Sequence, residues 1–266
     1  MDKETDWLLK EKYFGKLTEK FYRDIKRLEA GEPLDYVIGF TEFLGCRIDL
    51  SKKPLIPRPE TEFWVEKAIG EIKKFYPSTS SGQNLRILDI FSGSGCIGIA
   101  VLKNLLLAQR SLGEVGCDFA DIDKKSLEQI KINLKINKIS RFSHDREKNG
   151  IKYRVVRSDI FSNIKNKYDF IFANPPYIST KNRNRIQKAV LKYEPRKALF
   201  GGKDGLFYIK KFLRQAKNHL NENGKIYMEF DSPQKNKMEN MVIKYGYKNC
   251  EFHKDQYGKW RWVMVK

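Results

Sequence analysis

Apolar residues near the start of the chain recur at helical spacing between charged ones: Trp7, Leu8, Phe14, Leu17, Phe21, Ile25 and Leu28, with Gly31-Glu32-Pro33 closing the run. This pattern predicts one or two short helices. Leu34 to Pro59 loses that period and reads as a strand-rich connector turning at Gly45 and Pro54. Glu60 to Tyr76 then reads as a helix, opened by acidic residues and stopped by Pro77, and Ser78 to Asn84 as a Ser/Gly-rich linker.

From Arg86 the pattern alternates between short apolar runs and longer amphipathic ones. Ile87 to Ile90 predicts a strand, followed by a glycine-rich turn and a helix to about Leu107. Val115 to Ala120 predicts a strand and Lys124 to Asn137 a helix. Tyr153 to Val156 and Tyr168 to Ala173 supply further strands, Leu206 to Leu220 a helix, and Lys225 to Phe230 a strand. A closing hairpin follows at Lys248 to His253 and Trp260 to Val265, while the polar stretch Arg141 to Gly150 reads as a mobile surface loop. Strands alternating with helices predict a mostly parallel α/β sheet.

A length of 266 residues suits one such domain with a small appendage. The expected division is an N-terminal helical segment and connector over 1–77, and a larger α/β domain over 85–266. The longest apolar runs, such as Ile97 to Leu102, are too short to cross a bilayer. Asp2, Glu4 and Asp6 do not suit a targeting signal, and Cys46, Cys96, Cys117 and Cys250 show no paired metal-binding spacing. The expectation is a soluble, cytoplasmic protein, monomeric and without a metal. The formal charge of +19 predicts a weak attraction to nucleic acid or the ribosome, although its lysines are spread rather than blocked.

Two places carry chemistry at strand ends. Asp89-Ile90-Phe91-Ser92-Gly93-Ser94-Gly95-Cys96-Ile97-Gly98 lies where a strand turns into a helix, so its backbone can approach a ligand closely. The next strand ends in Ala120-Asp121-Ile122-Asp123. A carboxylate there can accept hydrogen bonds from both ribose hydroxyls of an adenine nucleoside, a moiety shared by NAD and S-adenosylmethionine. Asp121 is the expected ribose ligand, and Asp123 reads as the cap of the following helix.

The strand Asp169 to Ala173 runs straight into Asn174-Pro175-Pro176-Tyr177. Two prolines remove two amide donors, so this segment offers carbonyl acceptors beside the Asn174 side-chain oxygen, with an aromatic ring next to them. Such a socket fits an NH2 group on a flat molecule. A dehydrogenase has no special use for it. The expected chemistry is therefore methyl transfer to a planar amide or amino nitrogen, with S-adenosylmethionine as the donor.

Further segments then carry a resemblance. Glu32 to Gly39 (EPLDYVIG), Ile56 to Glu62 (IPRPETE), Phe91 to Gly95, Ser158 to Phe161, Asn174 to Ile178 and Tyr193 to Gly202 (YEPRKALFGG) together resemble the HemK/PrmC protein-(glutamine-N5) methyltransferases, which modify the glutamine of the Gly-Gly-Gln motif in peptide chain release factors. The resemblance runs from about Gly31 to the C-terminus. It implies a Rossmann-like class I methyltransferase fold: a mostly parallel seven-stranded sheet with an antiparallel last strand and a short helical N-terminal appendage.

It implies that Asp89 and the loop Phe91, Ser92, Gly93, Ser94 and Gly95 serve the cofactor, with Asp121 and Ile122 at the ribose and Asp159 and Ile160 beside the adenine. Asn174 touches cofactor and substrate, Pro175, Pro176 and Tyr177 line the glutamine pocket, and Arg58 and Glu62 lie in a segment that closes over the site. Arg58 and Glu62 also read, more simply, as a salt-bridged helix start. Phe91 stands where many relatives have glycine, Met228 to Gln234 lacks the glycine that usually follows Glu229, and the part before Gly31 is shorter than the usual N-terminal domain. The socket equally fits adenine N6 in RNA or DNA, and a non-catalytic RNA- or ribosome-binding protein on the same scaffold is the rival from another class.

Overall fold

The computed structural model describes residues 2–75, 84–108, 114–139 and 151–266. Two helices open it, α1 (Lys3–Tyr13) and α2 (Glu19–Glu29), capped by the Asp2 and Thr18 side chains, which accept from the Thr5 and Phe21 amides. The connector holds less strand than its sequence predicts. One turn of helix, α3 (Leu34–Ile38), precedes an antiparallel hairpin of β1 (Phe40–Phe43) and β2 (Cys46–Asp49). Leu44 and Gly45 at its tip both have positive φ, as a two-residue hairpin turn of this kind requires. Leu8, Phe21 and Val37 form a small apolar cluster of their own beneath these helices.

Helix α4 (Pro59–Phe75) leads toward the large sheet. Its predicted stop at Pro77, the linker before Asn84 and the polar loop Arg141 to Gly150 lie outside the described residues. The sheet then builds up as β3 (Leu85–Ile90), α5 (Cys96–Ala108), β4 (Val115–Asp121), α6 (Lys124–Ile136), β5 (Ile151–Arg157) and β6 (Tyr168–Ala173). Two short helices follow, α7 (Lys188–Tyr193) and α8 (Arg196–Leu199), before α9 (Phe207–Ala216), β7 (Leu220–Glu229), α10 (Lys235–Lys244), β8 (Cys250–Lys254) and β9 (Trp260–Val265). Helices α7, α8 and α10 were not anticipated from the sequence.

The seven strands run in the order β5-β4-β3-β6-β7-β9-β8. All neighbours are parallel except those of β9, which is antiparallel to both β7 and β8. Successive strand residues face opposite sides. Ile87, Phe172 and Tyr227 pack with α4, α5 and α6 on one face, while Leu88, Ile171 and Met228 pack with α9 and α10 on the other. Burial on both faces explains why the central strands read as continuous apolar runs. Their carboxyl ends converge on one edge, and the site lies there.

Candidate active site

A cavity of about 620 Å³ opens at the carboxyl ends of β3, β4 and β6, a size suited to a nucleoside-sized ligand. Phe91, Ser92, Gly93 and Ser94 line it on the β3 side. Gly95 does not reach the cavity, yet it sets the turn: its φ is +79°, and a Cβ there would lie 3.1 Å from the Ile130 side chain. Two apolar residues in the wall, Phe91 and Ile160, also hold left-handed backbones, with φ of 60° and 55°. Non-glycine residues adopt this conformation when their surroundings over-determine it. Phe91 packs on Tyr208 and Phe212, and Ile160 is buried.

Asp121 lies across the cavity from this turn. One carboxylate oxygen accepts from the Gly93 amide at 2.9 Å, and the other from the Asp123 amide at 2.8 Å. The Ser126 side chain also bonds to this carboxylate, so of its roughly four acceptor positions about one is left for a ribose hydroxyl. Burial pushes the Asp121 carboxyl pKa up, and those backbone donors oppose the shift. Asp123 caps α6 by accepting from the Lys125 amide and pairs with Lys197. Ile122, Asp159 and Ile160 line the same cavity, with Asp159 paired to Lys211 at 2.6 Å. Asp89 lies beneath the loop instead. It accepts from the Gly98 amide at 3.0 Å, its other oxygen is buried without a partner, and burial raises its pKa well above the usual carboxylate range.

Asn174 and Pro176 form the β6 side of the cavity. The tetrapeptide is clamped from behind by the glycine-rich segment that follows α8. A Cβ on Gly201 would stand 2.3 Å from the Pro176 carbonyl oxygen, and one on Gly205 would stand 2.1 Å from that of Tyr177. The Tyr177 carbonyl also accepts from Gln234 Nε2. Neither Pro175 nor Tyr177 lines the main cavity: Pro175 is buried, and the Tyr177 hydroxyl donates to Glu229 Oε1 at 2.8 Å.

Glu229, at the end of β7 and 1% exposed, gathers this region. Besides Tyr177, it accepts from Thr61 Oγ1 at 2.6 Å and Trp64 Nε1 at 2.7 Å, both on α4. Burial raises its pKa, while its three donors and the nearby Arg261 work the other way. Asn174 Nδ2 lies 3.4 Å from Thr61 Oγ1. Sequence reasoning missed this group. Its one legible sign was a carboxylate directly after the apolar run Ile226-Tyr227-Met228 at the end of β7.

Arg58 and Glu62 do not pair with each other. Arg58 lines the cavity and bonds to Glu194, which is buried and also accepts from the Ile56 amide. Glu62 lies away from the cavity wall, and its carboxylate accepts from the Leu44 amide at 2.7 Å, pinning the hairpin tip.

The model of the methyltransferase small domain family matches residues 75–203. The chain is 34% identical over 242 residues to the release factor glutamine methyltransferase of Lactococcus lactis subsp. lactis, covering 91% of this chain and 80% of that protein. It is 34% identical over 241 residues to the protein of the same name from Flavobacterium psychrophilum, covering 90% and 77%. Among solved structures, ribosomal protein L11 methylase from Lactobacillus delbrueckii subsp. bulgaricus matches with a TM-score of 0.51 at 17% identity, covering 82% of this chain and 83% of that one. The N-terminal domain of human METTL16 in complex with SAH matches with a TM-score of 0.52 at 18% identity, covering 84% and 75%. These structural likenesses bear on the fold. Among the described residues no helix is long and apolar enough to cross a membrane.

Proposed function

Because the chain belongs to the release factor glutamine methyltransferase family, we propose that it methylates the side-chain amide nitrogen (N5) of the Gly-Gly-Gln glutamine in a peptide chain release factor, with S-adenosylmethionine as donor. One observation carries this reading at the level of the site: a single cavity holds both the ribose-type carboxylate of Asp121 and the amide-type acceptor of Asn174. The walls suit the donor. Asp121 keeps an acceptor position for a ribose hydroxyl, the loop at Gly93 would bring backbone close to the donor, and apolar Ile122 and Ile160 would flank its flat ring.

When bound, S-adenosylmethionine supplies an electrophilic methyl group on a sulfonium. An amide nitrogen is a poor nucleophile because its lone pair is shared with the carbonyl. In our reading Asn174 Oδ1 and the Pro175 carbonyl accept its two N–H bonds and Tyr177, fixed by its hydroxyl, meets the amide plane; Pro175 and Tyr177 lie off the wall of the main cavity, so these two contacts require the glutamine to enter beside Asn174 from outside that cavity. The lone pair is thereby aimed at the methyl; the C–N bond would form as the methyl–sulfur bond breaks, leaving S-adenosylhomocysteine, and the nitrogen would release one proton to solvent. Arg58 holds the wall that closes over the substrate, through Glu194. Positioning of this kind can supply roughly 7 kcal/mol or more, and a well-placed acceptor facing the growing charge roughly 3 kcal/mol.

The test offers labelled S-adenosylmethionine to the protein with unmodified release factor and total RNA as competing acceptors, and locates the label by mass spectrometry. Label on the Gly-Gly-Gln glutamine is expected, and label on RNA with none on the glutamine overturns the reading. Asn174→Ala should lower kcat by about a hundredfold to a thousandfold. Near-normal turnover in that variant, with cofactor still bound, would refute the assigned role.

A further inference from the structure

The carboxamide of Asn174 has two ends of nearly equal size and opposite hydrogen-bonding character. Only its oxygen can receive an N–H from a substrate amide. With the NH2 end toward the cavity, donor would face donor. Something must therefore set which end points inward, and the neighbours of Asn174 supply it.

Thr61 Oγ1 stands between Asn174 Nδ2, at 3.4 Å, and Glu229 Oε2, at 2.6 Å. The same carboxylate oxygen accepts from Trp64 Nε1 at 2.7 Å, and an indole nitrogen can only donate. The other oxygen takes the Tyr177 hydroxyl at 2.8 Å. Three donors thus converge on Glu229, which acts as acceptor to all of them. A threonine hydroxyl has one proton, and Thr61 spends it on Glu229. Toward Asn174 it has only lone pairs left, so Asn174 must give it the NH2 end. The oxygen end is then the one that faces the cavity.

We infer that Thr61 and Glu229 are positioning residues that fix the orientation of the Asn174 carboxamide, so that the site presents an acceptor and selects an uncharged amide over a carboxylate. The inference rests on the proposed methylation of a glutamine side chain and adds to it the residues that set the choice. Glu229 anchors the Tyr177 hydroxyl as well, so one buried carboxylate orders two groups of the socket.

Three variants test it: Thr61→Val, which keeps the shape and removes the hydroxyl, Thr61→Ser, which keeps the hydroxyl, and Glu229→Gln. The carboxamide introduced by Glu229→Gln sets its oxygen where Oε2 stands, accepting from Thr61 and from Trp64 Nε1, which can only donate, so this variant keeps the Thr61 proton engaged and Asn174 fixed, whereas Thr61→Val removes the acceptor that holds Asn174 Nδ2. For each variant, kcat and KM toward the release factor are measured, together with cofactor affinity by calorimetry, melting temperature, and inhibition by a release factor whose acceptor glutamine is replaced by glutamate. Thr61→Val should lose about tenfold to a hundredfold in kcat while still binding cofactor, and Thr61→Ser should recover most of it.

Inhibition by the glutamate-bearing release factor should strengthen on the order of tenfold in Thr61→Val, where the Asn174 carboxamide is free to turn its N–H donors toward the carboxylate, and should stay at the wild-type level in Glu229→Gln. A loss of packing alone would not produce that gain. Unchanged kcat in Thr61→Val overturns the inference, as does an unaltered preference between the two release factors in that variant when folded. If Thr61→Val fails to fold, the same readouts in Thr61→Ala decide. A wild-type protein that leaves the glutamine unmethylated overturns the functional reading and this inference with it, whereas an active wild type with insensitive variants overturns the inference alone.

Discussion

Phe91 and Ile160 show how single residues shape the pocket. A left-handed backbone costs an L-residue with a side chain about 1–2 kcal/mol, yet both positions carry large apolar groups in the cavity wall. The conformation of Phe91 accounts for the glycine that the resembled family often carries there, and its ring contacts with Tyr208 and Phe212 hold it in place. Gly98 has the opposite constraint. A Cβ there would meet Phe119 Cε1 at 2.4 Å and Asp89 Cβ at 3.0 Å, with no room for either neighbour to yield. Gly98→Ala is expected to destabilise the protein by about 1–3 kcal/mol through overpacking, read as a lower midpoint in urea unfolding. An unchanged midpoint would mean that α5 and β4 separate more easily than their packing suggests.

At the scale of elements, the cavity is closed by two segments far apart in the chain. The stretch before α4 and the stretch joining α7 to α8 are held together by Arg58 and Glu194. Arg58→Ala leaves a buried carboxylate with the Ile56 amide as its remaining described donor. The pair is not wholly buried, since the Arg58 side chain is 33% exposed, so a loss of about 1–2 kcal/mol is expected, below the range for a fully buried pair. The loosened wall should also raise KM for the release factor more than it lowers kcat, and steady-state kinetics separate the two.

The same comparison of segments shows what sequence could deliver. Strand β6 and helix α6 were legible because long apolar runs and clear periodicity leave few alternatives. Helices α7 and α8 are too short to show a period, and α3 is a single turn inside a stretch whose composition suits strands. Helix α10 buries Met238, Met241 and Val242 at helical spacing, a signal present in the sequence but diluted by its lysines. Asp121, the glycine loop and Asn174 stood out because each sits in a contiguous motif at a strand end. The roles of Thr61 and Glu229 did not, because they exist only once α4 and β7 meet. Glu62 illustrates the same limit: its carboxylate reaches the hairpin tip at Leu44, a contact that spacing does not encode.

Across the whole molecule, the N-terminal helices are tied to the cavity wall through Glu32. Its carboxylate takes two bonds from Arg27 and one from Lys53, a residue that also lines the cavity. These donors, Arg27 foremost, lower its pKa from the ordinary 4.5 to about 2. A depressed carboxyl pKa contributes stability that is fully present above the unfolded value and lost as pH falls through the folded one. Melting temperature should therefore drop between about pH 4.5 and pH 2 in part through this group. Glu32→Gln should lower the melting temperature at neutral pH and shrink its acid-induced fall. An identical acid profile in the variant would remove Glu32 from the account.

The partners of Glu229 have a consequence for how the site comes into being. Thr61 and Glu229 are 168 residues apart, and Thr61 and Asn174 are 113 apart. Closing such distances is entropically costly and comes late relative to local structure. The glycine loop and Asp121, by contrast, are set by neighbouring strands of the first half of the sheet. A chain in which β7 has not docked lacks Glu229 beside Thr61, and with it the acceptor that turns the Thr61 proton away from Asn174. Docking of that one strand thus completes the contacts that order Asn174 and Tyr177.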